Sequence, residues 1–193
     1  MALNLCGVKI KNFTKLEESK DIITVCFLGR LLRDKGVYEF ISAARLIKNR
    51  GVKARFWLAG DEDIDNPSGL NKKDLKDIKK EGIVEVLGYQ KDIPQLYASA
   101  HIICLPSYRE GLPKSLIEAA AASRAIVTTD VSGCRDAIIP NKTGLLVPLK
   151  NYEKLADALQ CLIENPKRSF GNDLSLVLDF STFRMNPLFL WIK

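Results

Sequence analysis

Short apolar, β-branched runs alternate along this chain with segments that carry an apolar stripe at helical spacing, and no other feature restricts the fold as strongly. The run at 21–30, "DIITVCFLGR", is continuously rather than alternately hydrophobic, as a strand buried on both faces of a parallel sheet is. Residues 36–51 follow with apolar side chains at 37, 40, 41, 44 and 47 and a closing Gly51, which predicts a helix. The pattern then repeats: strands are predicted over 52–60, 83–89, 101–107, 124–130 and 143–148, and helices over 70–82, 92–100, 113–123 and 151–166. Strands joined through helices require crossover connections, so the expected fold class is α/β, a three-layer Rossmann-like domain with a mainly parallel sheet. Ligands of such sheets bind beyond the carboxyl ends of the strands, which singles out the loops 29–36, 60–69, 88–92, 106–113 and 130–136.

At 193 residues there is material for one well-buried domain. Its expected extent is 22–166, between a polar, lysine-rich lead-in over 1–21 and a tail over 167–193 that has no clean period. Hydrophobic residues at 47% and charged ones at 27% exclude wholesale disorder. A formal charge of +6 suits an anionic partner, whether a nucleoside diphosphate, a nucleic acid or an acidic membrane surface, without choosing among them. No basic stripe with interleaved aromatics appears, so nucleic acid is not expected. The five cysteines are odd in number, scattered and free of any Cys-x-x-Cys pair, which fits a reducing cytoplasm. The first residues lack a signal peptide's apolar core, and no run approaches the ~20 apolar residues of a membrane span.

Candidate site residues fall in the strand-end loops. Arg30 follows the first strand and Lys35 precedes the first helix beside Gly36. Two cations near a helix N-terminus suit a phosphate, although solvated surface charges fit the same spacing. Gly29 joins them as a donor-binding candidate, although no Walker-type or G-x-G-x-x-G phosphate loop surrounds it. In "SYREGLPKSLIEAAAAS" (107–123), Glu110 and Glu118 stand too far apart to pair on a helix face. Pro113 suits the first helical position, which leaves Glu110, Gly111 and Leu112 in the loop and Glu118 on the helix. The Lys114 and Ser115 amides would then face an anion. The bland alternatives are a capping box from Ser115 to Glu118 and a surface pair between Glu110 and Arg109. "GDEDID" (60–65) lacks the glycine and distal glutamate of a calcium loop, so no metal is expected there. His101, the single histidine, has no nucleophile motif near it and reads as structural.

These pieces, in this order, resemble the C-terminal, donor-nucleotide-binding domain of a family 4 retaining glycosyltransferase with the GT-B fold. The resemblance is carried by "FLGRLLRDKG" (27–36), "FWLAGDED" (56–63), "VLGYQKDIPQLYASAHIICLPSYREGLPKSLIEAAAAS" (86–123), "AIVTTDVSGCRDAI" (125–138) and "TGLLVPLKNYEKLADAL" (143–159). It implies that Arg30 and Lys35 grip the donor diphosphate and that Glu118 holds the ribose hydroxyls. It also implies that Glu110 faces the donor sugar, that the Gly111 and Leu112 amides approach sugar and phosphate, and that the Gly88-Tyr89-Gln90 turn lies near the base. The implied activity is retaining hexosyl transfer from a nucleotide-sugar, usually a UDP-sugar, in polysaccharide or lipid-linked glycan assembly, with no metal or other cofactor.

The family's enzymes also carry an N-terminal acceptor domain. Here that half is expected to be missing or supplied by a separate chain, and the domain to be inactive without it. Residues 167–193 depart from the family's pattern. A cytoplasmic location, peripheral at the inner membrane face, goes with this reading. Half of a sugar-nucleotide 2-epimerase and a non-catalytic nucleotide-binding or interaction module are the alternatives.

Overall fold

The computed structural model describes residues 4–5, 8–9, 12–13, 22–63 and 66–165, and the tail over 167–193 lies outside them. Near the N-terminus, β1 (Asn4–Leu5) and β2 (Val8–Lys9) form a small antiparallel pair, with β2 lying beside α4 (Lys114–Ala121). The main sheet contains β3 (Thr24–Leu28), β4 (Arg55–Ala59), β5 (Glu85–Gly88), β6 (Ile102–Leu105), β7 (Ala125–Thr129) and β8 (Gly144–Val147). Its order is β5-β4-β3-β6-β7-β8, and every neighbouring pair is parallel. This is the doubly wound arrangement expected from the alternation of strand and helix patterns.

Burial explains the continuous hydrophobic runs. β6 and β7 are buried along their whole length and β3 at all but its last residue, whereas the edge strand β5 is exposed or half-buried throughout. Helices cover the sheet through the apolar stripes read in the sequence. α1 (Val37–Asn49) buries Val37, Phe40, Ile41, Ala44 and Ile47 and packs on α6 (Tyr152–Glu164). Phe40 sits between Phe27 and Phe56, with ring centroids 5.7 and 6.1 Å away, and joins α1 to β3 and β4. Each such ring stabilises the fold by about 1.5–3 kcal/mol through burial alone. α2 (Lys72–Glu81) is charged except for Leu75 and Ile78, which face inward. α3 (Ile93–Ser99) and the one-turn α5 (Ser132–Arg135) complete the set.

Three details differ from the sequence expectation. Pro113 occupies the N-cap of α4 rather than its first helical position. Its ψ of 115° is extended, and its carbonyl accepts the first helical bonds, from the Leu116 and Ile117 amides. The core also reaches back into the lead-in, where Phe13 is buried against Tyr97 in an edge-to-face contact of 5.6 Å. A single aromatic in a lysine-rich stretch carries no period, so only tertiary contact shows that it belongs to the core. Lastly, the 132–135 segment, expected to lie in the 130–136 loop, forms a helical turn behind the loop that carries Glu110.

Candidate functional site

Strand order reverses between β3 and β6, so the loops leaving these two strands diverge and open a crevice at their carboxyl ends. The crevice holds ≈ 330 Å³ and is lined by Leu28, Gly29, Lys35, Ile93, Leu105, Glu110, Pro113, Lys114, Ser115 and Glu118. Four residues proposed from the sequence, Gly29, Lys35, Glu110 and Glu118, therefore meet in one place.

The two loops are tied together. The Asp34 carbonyl accepts the Tyr108 amide at 2.8 Å and faces the Ser107 hydroxyl at 3.1 Å, while the Thr129 hydroxyl donates to the Ser107 carbonyl. Behind the second loop lies Gly133. A Cβ added there would stand 1.9 Å from the Gly111 oxygen and 2.4 Å from the Glu110 oxygen, so the Glu110–Gly111 turn rests against a bare Cα. Neither Gly133 nor Tyr97 was marked by the sequence reading, because both act from beneath the site through contacts distant along the chain.

Within the crevice, Lys35 Nζ donates to Glu110 Oε1 at 2.6 Å, with the two side chains 20% and 12% exposed. Glu118 is buried. Its carboxylate lies 3.3 Å from the Tyr97 hydroxyl and 3.5 Å from Lys114 Nζ, and the same hydroxyl is 2.7 Å from the Ser115 carbonyl. Burial pushes the Glu118 carboxyl above its ordinary range, an effect that Lys114 and Tyr97 offset only in part. The capping-box alternative does not hold, since Ser115 is already the second residue of α4. The surface pair of Glu110 with Arg109 is replaced by the Lys35 contact, and Arg109 lies 3.8 Å from Asp34 instead.

Helix caps separate the crevice from the rest of the molecule. α2, α3 and α6 have side-chain N-caps, where Asn71, Asp92 and Asn151 accept the amides of Asp74, Gln95 and Lys154. α4, which opens onto the crevice, and α1, which follows Lys35, have none, and neither has the one-turn α5 behind the Glu110 loop. Their first amides are left for another acceptor, and an anion is the acceptor that the helix dipole favours.

Other expected residues lie around this centre. The Arg30 side chain is 61% exposed at the rim and lies 3.5 Å from Asp63, whereas Lys35 pairs with Glu110. Gly111 is exposed and Leu112 half-buried, next to Glu110 but outside the crevice lining. Tyr89 is 66% exposed, and Gln90 Nε2 donates to the Leu87 carbonyl at 2.9 Å. Both follow β5, two strands from the reversal. Within 60–63, Glu62 pairs with Lys79 and Asp63 with Arg30. Among the described residues, no group of three His, Cys, Asp or Glu is placed to hold a metal ion, and no helix is long and apolar enough to cross a membrane. His101 is buried and accepts the Thr24 amide through Nδ1 at 3.0 Å, a structural role as expected.

A parallel, doubly wound sheet with this crevice at its order reversal defines a Rossmann-like domain of the kind found in GT-B glycosyltransferases. The chain belongs to the family described as Glycosyl transferases group 1, which matches residues 22–165. A curated relative from Campylobacter jejuni, N,N'-diacetylbacillosaminyl-diphospho-undecaprenol alpha-1,3-N-acetylgalactosaminyltransferase, is 38% identical over 143 residues. That match covers 74% of this chain and 36% of the relative. The capsular polysaccharide biosynthesis glycosyltransferase CapM of Staphylococcus aureus is 24% identical, over 86% of this chain and 46% of its own length. Among solved structures, sucrose-phosphate synthase from Thermosynechococcus elongatus superimposes with a TM-score of 0.74 at 25% identity, covering 87% of this chain and 44% of that one. Anabaena Alr3699/HepE, crystallised with UDP, gives 0.69 at 20% identity, over 83% and 44% of the two chains. The chain thus spans less than half the length of these relatives.

Proposed function

We propose that this domain binds the nucleotide-sugar donor, a UDP-sugar, for a retaining glycosyltransferase of the family 4 type acting in polysaccharide or lipid-linked glycan assembly. One observation carries the reading: Lys35, Glu110, Glu118 and the uncapped start of α4 line a single crevice beside the strand-order reversal. The relatives' names support the glycan class, since one acts on a diphospho-undecaprenol-linked sugar and another in capsular polysaccharide biosynthesis. UDP in the HepE crystals supports the donor class.

In this reading the diphosphate lies against Lys35 and the Lys114 and Ser115 amides, and the ribose hydroxyls meet Glu118. As the bond between sugar and diphosphate breaks, negative charge grows on the leaving phosphate, where an ammonium and helix amides stabilise it. Arg30 joins from the rim; its exposed pair with Asp63 is worth only about 0–1 kcal/mol and is readily exchanged. Glu110 faces the sugar. An acceptor-binding half, in the same polypeptide or another, closes the crevice against water, and transfer is slight without it.

Calorimetric titration of the 193-residue chain with UDP tests the reading. Two charge-assisted side-chain contacts of about 1.5–3 kcal/mol each put Kd nearer millimolar than nanomolar. Lys35→Ala is expected to weaken binding by about tenfold or more. Equal affinity in that variant would remove the site assignment.

A further inference from the structure

The cations around the crevice are each held by one of the protein's own carboxylates: Lys35 by Glu110, Lys114 by Glu118, and Arg30 at the rim by Asp63. The first pair is the shortest, at 2.6 Å, and both its side chains are largely withdrawn from water. A contact of that kind is far less screened than the exposed pairs elsewhere on the surface. Its backbone supports are fixed, because the Asp34 carbonyl bonds to the Tyr108 amide and Gly133 backs the Glu110–Gly111 turn. The two loops therefore cannot simply part, and the pair opens by rotation of the Glu110 side chain. Room for that movement lies on the outer side of the turn, where a Cβ added at Gly111 would meet nothing within 4 Å.

We propose that Glu110 is an internal counter-ion occupying the phosphate's place on Lys35, so that an arriving diphosphate displaces it and the same exchange frees Glu110 to face the sugar. This rests on the donor-site reading above and adds a function for Glu110 in the empty site. The exchange also selects among anions. A diphosphate carries enough charge to engage Lys35 and the α4 amides together. A weaker anion meets a crevice whose positive charge is already neutralised. Glu118 and Lys114 face the same space but form their own pair, so the exchange is confined to Lys35 and Glu110.

A double-mutant cycle with UDP as the probe, read by calorimetry on the full chain, tests this. Glu110→Gln keeps the shape and removes the competing charge, and it is expected to tighten UDP binding by about tenfold. In a Lys35→Ala background the same change is expected to bring little or no gain, because the ammonium it would release is absent. Unchanged or weaker binding by Glu110→Gln overturns the proposal. So does an equal gain in both backgrounds, which would mean simple repulsion of the anion. In either case weakening by Lys35→Ala alone leaves the donor-site reading intact, whereas no effect of Lys35→Ala removes that reading first. If Glu110→Gln does not fold, a wild-type crystal soaked with UDP reads the same exchange. Lys35 on phosphate with Glu110 beyond ion-pair distance supports the proposal, and the 2.6 Å contact persisting beside bound UDP refutes it.

Discussion

Glu118→Gln is expected to weaken UDP binding by roughly 10- to 150-fold and, at neutral pH, to raise the melting temperature of the chain. Both effects come from one buried carboxylate. As a ribose acceptor, a charged oxygen contributes about 1.5–3 kcal/mol, which is that range in affinity. Stability moves the other way because burial raises the pKa of Glu118 above its unfolded value. A group shifted in that direction contributes its full stability when protonated, below the ordinary glutamate pKa. That contribution is lost as the pH rises through the raised value, where the buried group must carry charge. The ionised form of Glu118 is the one that burial disfavours, and glutamine removes the charge while keeping an oxygen for the Tyr97 hydroxyl. Melting curves for the two proteins should differ at pH 7 and converge once Glu118 is protonated in the folded and unfolded states alike. A variant that melts lower at pH 7 would show that the ionised carboxylate stabilises the fold, contrary to this account.

Gly36→Ala is expected to destabilise the domain by about 2–5 kcal/mol and to weaken UDP binding even where it folds. Gly36 joins the 3-10 turn Arg33–Lys35 to α1 at φ +75°, a conformation that side chains rarely adopt. Space is the second objection: an added Cβ would lie 2.1 Å from the Pro106 carbonyl oxygen, in the loop that leads to Glu110. Relief requires one of the two crevice loops to move, and Lys35 is the adjacent residue. Denaturant unfolding of wild type and variant measures the first effect and calorimetry the second. Gly51, also at positive φ, serves as a control. An added Cβ meets nothing within 4 Å there, so Gly51→Ala bears the conformational strain without the clash and leaves UDP binding unchanged.

The sheet and its helices were legible because burial on both faces forces continuous apolar runs, and "IICL" and "AIVTT" became the fully buried β6 and β7. The end of the sheet that bears the site followed from the same pattern, since the loop positions come with the strand order. Side-chain partners were less accessible. Nothing in the spacing of Lys35 and Glu110, 75 positions apart, announces a 2.6 Å contact, and Arg30, five residues before Lys35, turns to Asp63 at the rim. Pairing of long charged side chains depends on which loops the fold brings together. Tyr97 had no local signature either: in "DIPQLYASA" it reads as one more apolar position, and its hydroxyl matters only because α4 lies against it.

Amide chemical-shift mapping of the isotopically labelled chain during titration with UDP addresses the ligand's position without any mutation. The account predicts saturable shifts gathered at Gly29, Lys35, Lys114, Ser115 and Glu118, where the ends of β3 and β6 part. Saturable shifts collected instead along α2 or the outer face of α6, with those five amides unmoved, would contradict it.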